Sequence, residues 1–326
     1  MHILIIGAAG MLGRKLAAHL AARGTLNGQP ITRLTLADVV APTAPGFAGQ
    51  TATMTIDLAD RATATALAAL RADVIFHFAA IVSGEAEADF DKGYAINLDA
   101  TRALFDAIRL DVQAGSPVPR MVFASSTAVF GAPFPAKIPD DFHATPRSSY
   151  GTQKAMAELL LCDYSRRGFL DGIGLRLPTI CIRPGTPNKA ASGFYSNILR
   201  EPLVGLPANL PVPDTTRHWF ASPRSAVGFF DLAASLDLTT LGPSRILNMP
   251  GLSATVAEQI EALRDAAGHD AVRLITHNPD PVIAKIVNTW PQDFDTARAT
   301  ALGFTAEASF DQIIATHIAD ELGGAL

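Results

Sequence analysis

The chain has 326 residues, 48% hydrophobic and only 17% charged, a composition that suits one large packed domain or two ordinary ones and excludes a disordered chain. Its net charge of −5 comes without any run of lysine and arginine, so a phosphate backbone finds no basic stripe and nucleic acid is excluded as a partner. No apolar stretch approaches the ~20 residues of a membrane span, and the apolar start MHILIIGAAG lacks the basic flank of a secretory leader; we expect a cytoplasmic protein that does not engage the membrane.

Short runs rich in Ile, Val, Leu and Phe recur at 2–6, 33–37, 73–78 and 121–124. They are apolar on both faces, as the strands of a parallel sheet covered on both sides must be. Between them lie alanine- and leucine-rich stretches of helical length at 11–22, 61–70 and 97–110. Strand alternating with helix predicts such a sheet, continued by a helix from near Tyr150 and a strand over 172–181. Beyond Arg183 prolines and glycines cluster and the alternation is lost. A strand over 245–249 and a helix over 253–267 follow, and a helical stretch at 227–236 is expected to pack back on the sheet.

The first strand runs directly into GAAGMLG, residues 7–13, with the spacing G-x-x-G-x-x-G. Glycines serve where the chain turns tightly, where backbone approaches a pyrophosphate and where helix packs close on strand. The helix that follows offers free N–H groups and a partial positive charge to phosphates. Asp38 closes the second run, in LTLAD, where a carboxylate accepts hydrogen bonds from ribose hydroxyls and repels a 2′-phosphate. Val39 and Val40 follow it in place of a cation, which favours NAD over NADP. A small insertion at 24–30 accounts for its distance from the glycines. Asp57, in TIDLAD, either reaches the adenine or belongs with Asp60 at the start of the next helix.

SSYGTQKAMAE, residues 148–158, sets Tyr150 and Lys154 four positions apart, on one face of a helix. A free phenol has a pKa of ~10, and a fixed ammonium beside it lowers that value. The pair by itself is either a tuned acid–base couple or two residues on a solvated face. Cys162 and Cys181 supply neither a disulfide framework nor metal spacing, and no cluster of His, Cys and carboxylates falls at ligand spacing; we expect free thiols and no metal.

Further segments accompany the pair: FHFAA at 76–80, NLDAT at 97–101, FASSTAVFG at 123–131 and DTARATALGF at 295–304. Taken together with the glycine turn, this constellation resembles the extended short-chain dehydrogenases/reductases over most of the chain. The resemblance implies an α/β fold, a Rossmann-type doubly wound parallel sheet with a smaller C-terminal substrate-binding region. Residues 1–183, joined by 227–249, are then the NAD-binding domain and 184–326 mainly the substrate region. It implies that Tyr150 is the general acid/base, that Lys154 lowers its pKa and reaches the nicotinamide ribose, and that Ser126 holds the substrate oxygen. Ser126 is preferred over its neighbours Ser125 and Thr127 by its register against AVFG. Asn97 is expected to anchor a water that links the lysine to solvent. NAD falls to Gly7, Gly10, Met11, Leu12 and Gly13, with Asp38, Asp57, Leu58 and Ala79 completing the set beside Tyr150 and Lys154.

Departures from the family's patterns narrow the activity. Dehydratases carry an Asp-Glu pair where this chain has Thr127 and Ala128. The segment RHWFASPRSAV, 217–227, lacks the paired acids usual in sugar epimerases, and Ala100 replaces the glycine of N-x-x-G-T. The pattern as a whole is similar to family members that oxidise the C2 hydroxyl of a four-carbon sugar acid with NAD; a nucleotide-sugar epimerase or reductase is the alternative. A substrate carboxylate calls for a cation, and Arg183, Arg217 and Arg224 are candidates, with Ser83, Asn188 and Ser192 for hydroxyls. Of these Ser83 and Arg183 join Ser126 and Tyr150 in the expected substrate set. Relatives often dimerise through the helices that start near Tyr150 and Asn97, so a homodimer is expected, with Met156 and Leu160 suited to the contact. His77 is expected to be a packed histidine, and His218 receives no role.

Overall fold

The run His2–Ile6 is apolar throughout, and Ile3, Leu4, Ile5 and Ile6 are fully buried, so it requires a neighbouring strand on each edge and a covering layer on each face. In the computed structural model, which describes residues 1–185 and 190–324, it has them. Seven strands form one sheet: β1 (His2–Ile6), β2 (Arg33–Asp38), β3 (Gln50–Thr55), β4 (Val74–His77), β5 (Arg120–Ser126), β6 (Asp171–Leu177) and β7 (Ile246–Asn248). Their spatial order is β3-β2-β1-β4-β5-β6-β7. β1 pairs in parallel with β2 and with β4, so that Ile3 lies level with Leu34 and Val74. The strand order reverses at β1, and the ends of β1 and β4 open the crevice in which doubly wound sheets bind ligands.

The described chain divides into two compact units. The first comprises Met1–Val129, Ser148–Arg176 and Val227–Leu247 and carries the large sheet. Its core gathers Leu4 and Ile6 from β1, Met121 and Phe123 from β5, and Leu104, Phe105 and Leu161 from helices laid on the sheet. The second comprises Phe130–Arg147, Leu177–Ala226 and Asn248–Leu326, built around Tyr195, Ile198, Phe220, Leu263, Phe310 and Ile313.

Several boundaries differ from the sequence pattern for local reasons. The strand expected over 172–181 stops at Leu177, because Pro178 has no N–H to offer a ladder. Thr179–Ile180 then pairs with Phe220 and Ala221 in a small sheet of the second unit. The helix expected from 253 begins at Val256, since Leu252–Thr255 pairs antiparallel with Arg217–Ala221. Thr255 and Glu258 make a reciprocal capping box at its start, and Gly268, at φ 78°, interrupts it one residue beyond the expected end. The insertion at 24–30 is a β-hairpin, Thr25–Leu26 against Gln29–Pro30, turned by Asn27 and Gly28 at positive φ. The helix expected over 97–110 is longer: Phe90–Tyr94 continues through a π-helical turn, Ala95–Asp99, into Ala100–Gln113.

Candidate active site

β1 delivers the chain into Gly7, whose φ of +90° suits only glycine. A Cβ there would lie 2.6 Å from the Ala79 nitrogen, and one on Gly13 would lie 2.2 Å from the Gly7 carbonyl oxygen and 2.7 Å from Ala8 Cα. These are backbone atoms that cannot yield, so the turn is a bare cradle. The helix Met11–Arg23 starts from it with Gly10 as N-cap, no side-chain cap and no acidic residue in the first turn. Its leading N–H groups, at Met11, Leu12 and Gly13, present a positive end without a carboxylate of the protein to occupy it. A dinucleotide pyrophosphate fits that cradle.

Asp38, the last residue of β2, is tied to the same turn: its Oδ2 accepts from Ala9 N at 2.8 Å and its Oδ1 from Val40 N at 3.3 Å. Val39 and Val40 beside it are 66% and 64% exposed, so the two residues that follow it present apolar surface and no charge at that rim. Asp60, not Asp57, caps the helix Arg61–Ala68. Asp57 accepts from Ala59 N at 2.9 Å in the turn before it, and Leu58 packs against the core of the first unit. Ala79 follows β4, bonds to Ile6 O at 3.1 Å and forms the far wall against Gly7.

β5 brings up the serines. Strand alternation sends Ser125 and Ser126 to opposite faces. Ser125 is buried, its Oγ 2.5 Å from Glu158 Oε1, whereas Ser126 is half-buried and accepts from Ala128 N at 3.1 Å. Thr127 is buried in the short 3₁₀ turn that follows. The helix Ser149–Arg166 is capped by Ser148 Oγ, which accepts from Gly151 N at 3.1 Å. Tyr150 sits on its first turn, half-buried, and Lys154 one turn further, 2% exposed. The lysine Nζ donates to Ala124 O at 2.9 Å and stands 4.7 Å from the Phe123 ring centroid and 5.8 Å from that of Tyr150. Burial pulls its ammonium down to about 8, against the opposing pull of the Glu158 carboxylate. Next to it His77 is buried on β4, with Nε2 3.1 Å from Thr101 Oγ1. Burial, with the Lys154 charge adding to it, lowers His77 to about 3, so the ring is neutral.

Asn97 lies in the π-helical turn, 1% exposed. Its Oδ1 accepts from Ile81 N at 2.9 Å; its Nδ2 donates to Ile81 O at 3.2 Å and to Gln153 Oε1 at 2.8 Å. The side chain therefore fastens the segment after β4 to the helix of Tyr150. Gln153, 0% exposed between Tyr150 and Lys154, was not marked by the sequence reading, nor was Glu158; both follow from the spacing of that helix. Ser83 begins the helix Ser83–Ala88 and is half-buried.

Ser126, Tyr150, Lys154, Asn97 and Ser83 thus belong to the first unit, and Arg183 to the second. Arg183 donates from Nε to Ile180 O at 3.0 Å and from Nη2 to Ser192 Oγ at 2.9 Å. Arg217 and Arg224 are engaged with the carboxylates of Glu258 and Asp320. Asn188 lies outside the described residues. His218 is buried, lowered to about 3 by burial, with Nε2 2.6 Å from Thr179 Oγ1 and its ring stacked on Tyr195. Among the described residues no group of three or more His, Cys, Asp or Glu could hold a metal, and no helix is long and apolar enough to cross a membrane.

A model of the NAD dependent epimerase/dehydratase family matches residues 3–219. D-erythronate dehydrogenase of Cupriavidus necator is 49% identical over 98% of this chain and 98% of its own. D-erythronate dehydrogenase of Haemophilus influenzae is 42% identical over 98% of this chain and 99% of its own. A crystal structure described as the nucleoside-diphosphate-sugar epimerase from Agrobacterium tumefaciens superposes with a TM-score of 0.97 at 62% identity, covering 100% of this chain and 95% of that one. The chain belongs to the NAD dependent epimerase/dehydratase family.

Proposed function

We propose that this protein oxidises the C2 hydroxyl of a four-carbon sugar acid, D-erythronate to 2-dehydro-D-erythronate, with NAD. The observation that carries the reaction type is Lys154, a lysine buried one turn beyond a half-buried tyrosine. The substrate comes from the two full-length D-erythronate dehydrogenase relatives.

NAD, when bound, supplies the hydride acceptor. The glycine turn, Met11 and Leu12 hold its pyrophosphate, and Asp38, with Asp57 and Leu58 nearby, serves the adenosine half. Ser126 Oγ holds the C2 hydroxyl oxygen. Tyr150 Oη, as phenolate, takes the hydroxyl proton as the carbon loses its hydride, a role worth about 10²–10⁴-fold. Lys154 favours the phenolate while it remains charged, so its support is present below about pH 8 and is lost above. Asn97 fixes Ile81, and with it the segment carrying Ala79 and Ser83. A substrate carboxylate needs a cation, and Arg183 is our candidate. The protein acts in the cytoplasm as a homodimer; Leu110 and Leu159, 58% and 72% exposed on the helices Ala100–Gln113 and Ser149–Arg166, suit a helix contact between copies.

The name of the Agrobacterium structure favours a second reading, epimerisation of a nucleotide sugar. An epimerase oxidises and re-reduces the same carbon, so it yields no net NADH and retains its cofactor. Purified protein mixed with NAD and D-erythronate, with L-threonate, D-threonate and UDP-galactose in parallel, separates the two. NADH accumulating with erythronate alone supports the dehydrogenase. No NADH with any acid, together with NAD retained through purification, supports the epimerase.

A further inference from the structure

The charged groups behind Lys154 are not those of an ordinary salt bridge. Lys154, Glu158 and Arg176 are 2%, 4% and 7% exposed, so two cations and a carboxylate share a dry site. Glu158 lies one turn beyond Lys154 on the same helix, yet three donors from elsewhere hold it. Arg176 on β6 approaches it with Nε at 3.0 Å from Oε1 and Nη2 at 2.9 Å from Oε2. Ser125 on β5 donates to Oε1 at 2.5 Å. A buried pair of this kind is a weak source of stability, since well-packed apolar residues in its place are often neutral or better. What it adds is a carboxylate at a fixed place, one helical turn from the lysine. Because Arg176 and Ser125 hold that carboxylate, the Lys154 ammonium stays on Ala124 O, beside Tyr150.

We propose that Glu158, clamped by Arg176 and Ser125, is a positioning residue whose carboxylate keeps Lys154 charged and turned toward Tyr150. The inference rests on the reading of Tyr150 and Lys154 as the acid–base couple. The titratable groups that face the lysine are Tyr150 and Glu158 on its own helix and His77 on β4, which is held neutral. Arg176 stands behind Glu158, and Cys162 and Arg245 lie beyond the pair. Without the Glu158 charge, Lys154 loses the carboxylate that favours its ammonium against burial. Protons then leave the Tyr150–Lys154 couple at lower pH. More of the loss falls on the lysine, the nearer group, which yields an unproductive neutral pair.

The test is the pH dependence of kcat/KM for sugar-acid oxidation by the full chain. Glu158→Gln is expected to displace the profile to lower pH by about one unit or more and to lower its plateau. Arg176→Met is expected to displace it upward, and Glu158→Met combined with Arg176→Met to lie between the two single variants, still below the parent because the carboxylate is the nearer charge. Opposite displacements that offset in part are not produced by a merely structural role. Two single variants that leave the profile in place, or move it the same way, overturn the inference. If Glu158→Gln does not fold, an upward displacement in Arg176→Met that the double variant reverses still decides it. Tyr150→Phe separates this outcome from the underlying reading: turnover unaffected there overturns the couple itself. Turnover lost there with an unmoved profile in the Glu158 and Arg176 variants overturns the present inference alone.

Discussion

Asn97→Ala removes a clamp whose cost can be counted. Three hydrogen bonds disappear: two to the Ile81 main chain, which is half-buried, and one to Gln153 Oε1, which is fully buried. Gln153 Nε2 already lacks a partner, so truncation leaves a buried amide without any hydrogen bond. At about 1–3 kcal/mol for the buried oxygen and about 0.5–1 for each Ile81 group, the loss sums to about 3 kcal/mol. The assay is urea unfolding followed by far-ultraviolet circular dichroism, because Trp219 and Trp290, the only two tryptophans, both lie in the second unit. Asn97→Asp is a sharper probe at neutral pH. Its carboxylate can still accept from Ile81 N but faces the Ile81 and Gln153 oxygens without a proton to donate. We expect it to be no more stable than Asn97→Ala at neutral pH and to recover as acid supplies that proton. An Asn97→Ala variant within about 0.5 kcal/mol of the parent would show that the clamp carries no load, and the account of the segment after β4 fails with it.

Lys154→Met is expected to lose turnover while remaining as stable as the parent at neutral pH. Moving a lysine from 10.5 to about 8 means that burial disfavours its charged form by about 3 kcal/mol. That penalty is complete below about pH 8 and fades as pH rises toward 10.5, so the parent should gain stability across this window and the methionine variant should not; equal slopes refute it. His77 acts in the same sense at acid pH. Its ordinary value of 6.5 falls to about 3 on folding, so stability is full above 6.5 and lost as pH drops toward 3. His77→Leu should flatten the fall of the urea midpoint over that range by about one proton's worth, leaving the similar contribution of His218. Gly13→Ala should weaken NAD binding at least tenfold in a titration calorimeter, because its Cβ meets immovable backbone 2.2 Å away. Gly28→Ala meets nothing within 4 Å and should cost only about 1 kcal/mol of stability from its φ of +71°, with NAD affinity unchanged.

How far the sequence could be read depended on what each segment asks of its surroundings. β1, β2 and β4 are apolar on both faces, which only a doubly covered sheet satisfies, so the alternation disclosed the architecture. Gln50–Thr55 was less visible, because an edge strand facing water on one side holds threonines where a central strand holds isoleucines. Pro178 is a local signal that the pattern of 172–181 concealed: the apolar run continues through it, but the ladder cannot. The π-helical turn at 95–99 had no signature at all, since the same residues read equally well as α-helix and only the tie from Asn97 to Ile81 marks the place of the extra residue. Spacing located Tyr150 and Lys154, but Glu158, one turn on, was not marked by it. Which of these face each other across strands is decided by Ser125 and Arg176, whose partners lie 33 and 18 residues away in the chain.

That division has a physical basis. An acid–base tyrosine must meet the substrate, whereas the lysine that tunes it acts through its charge, and a charge acts most strongly out of water. The helix Ser149–Arg166 separates these needs along its length: Tyr150 is half-buried on its first turn, Lys154 is sealed one turn below, and Glu158 is sealed one turn below that. Residues that meet a ligand follow a motif, because the ligand imposes the geometry. Residues that meet only other side chains need volume, charge and a partner, and those partners emerge from the order of the strands. Glu158 is held from both β5 and β6, so the electrostatics of the couple depend on the register of these two neighbouring strands. A slip of one residue in β5 would turn Ser126 toward Glu158 and Ser125 to the opposite face of the sheet, and the hydroxyl that holds Glu158 would be exchanged.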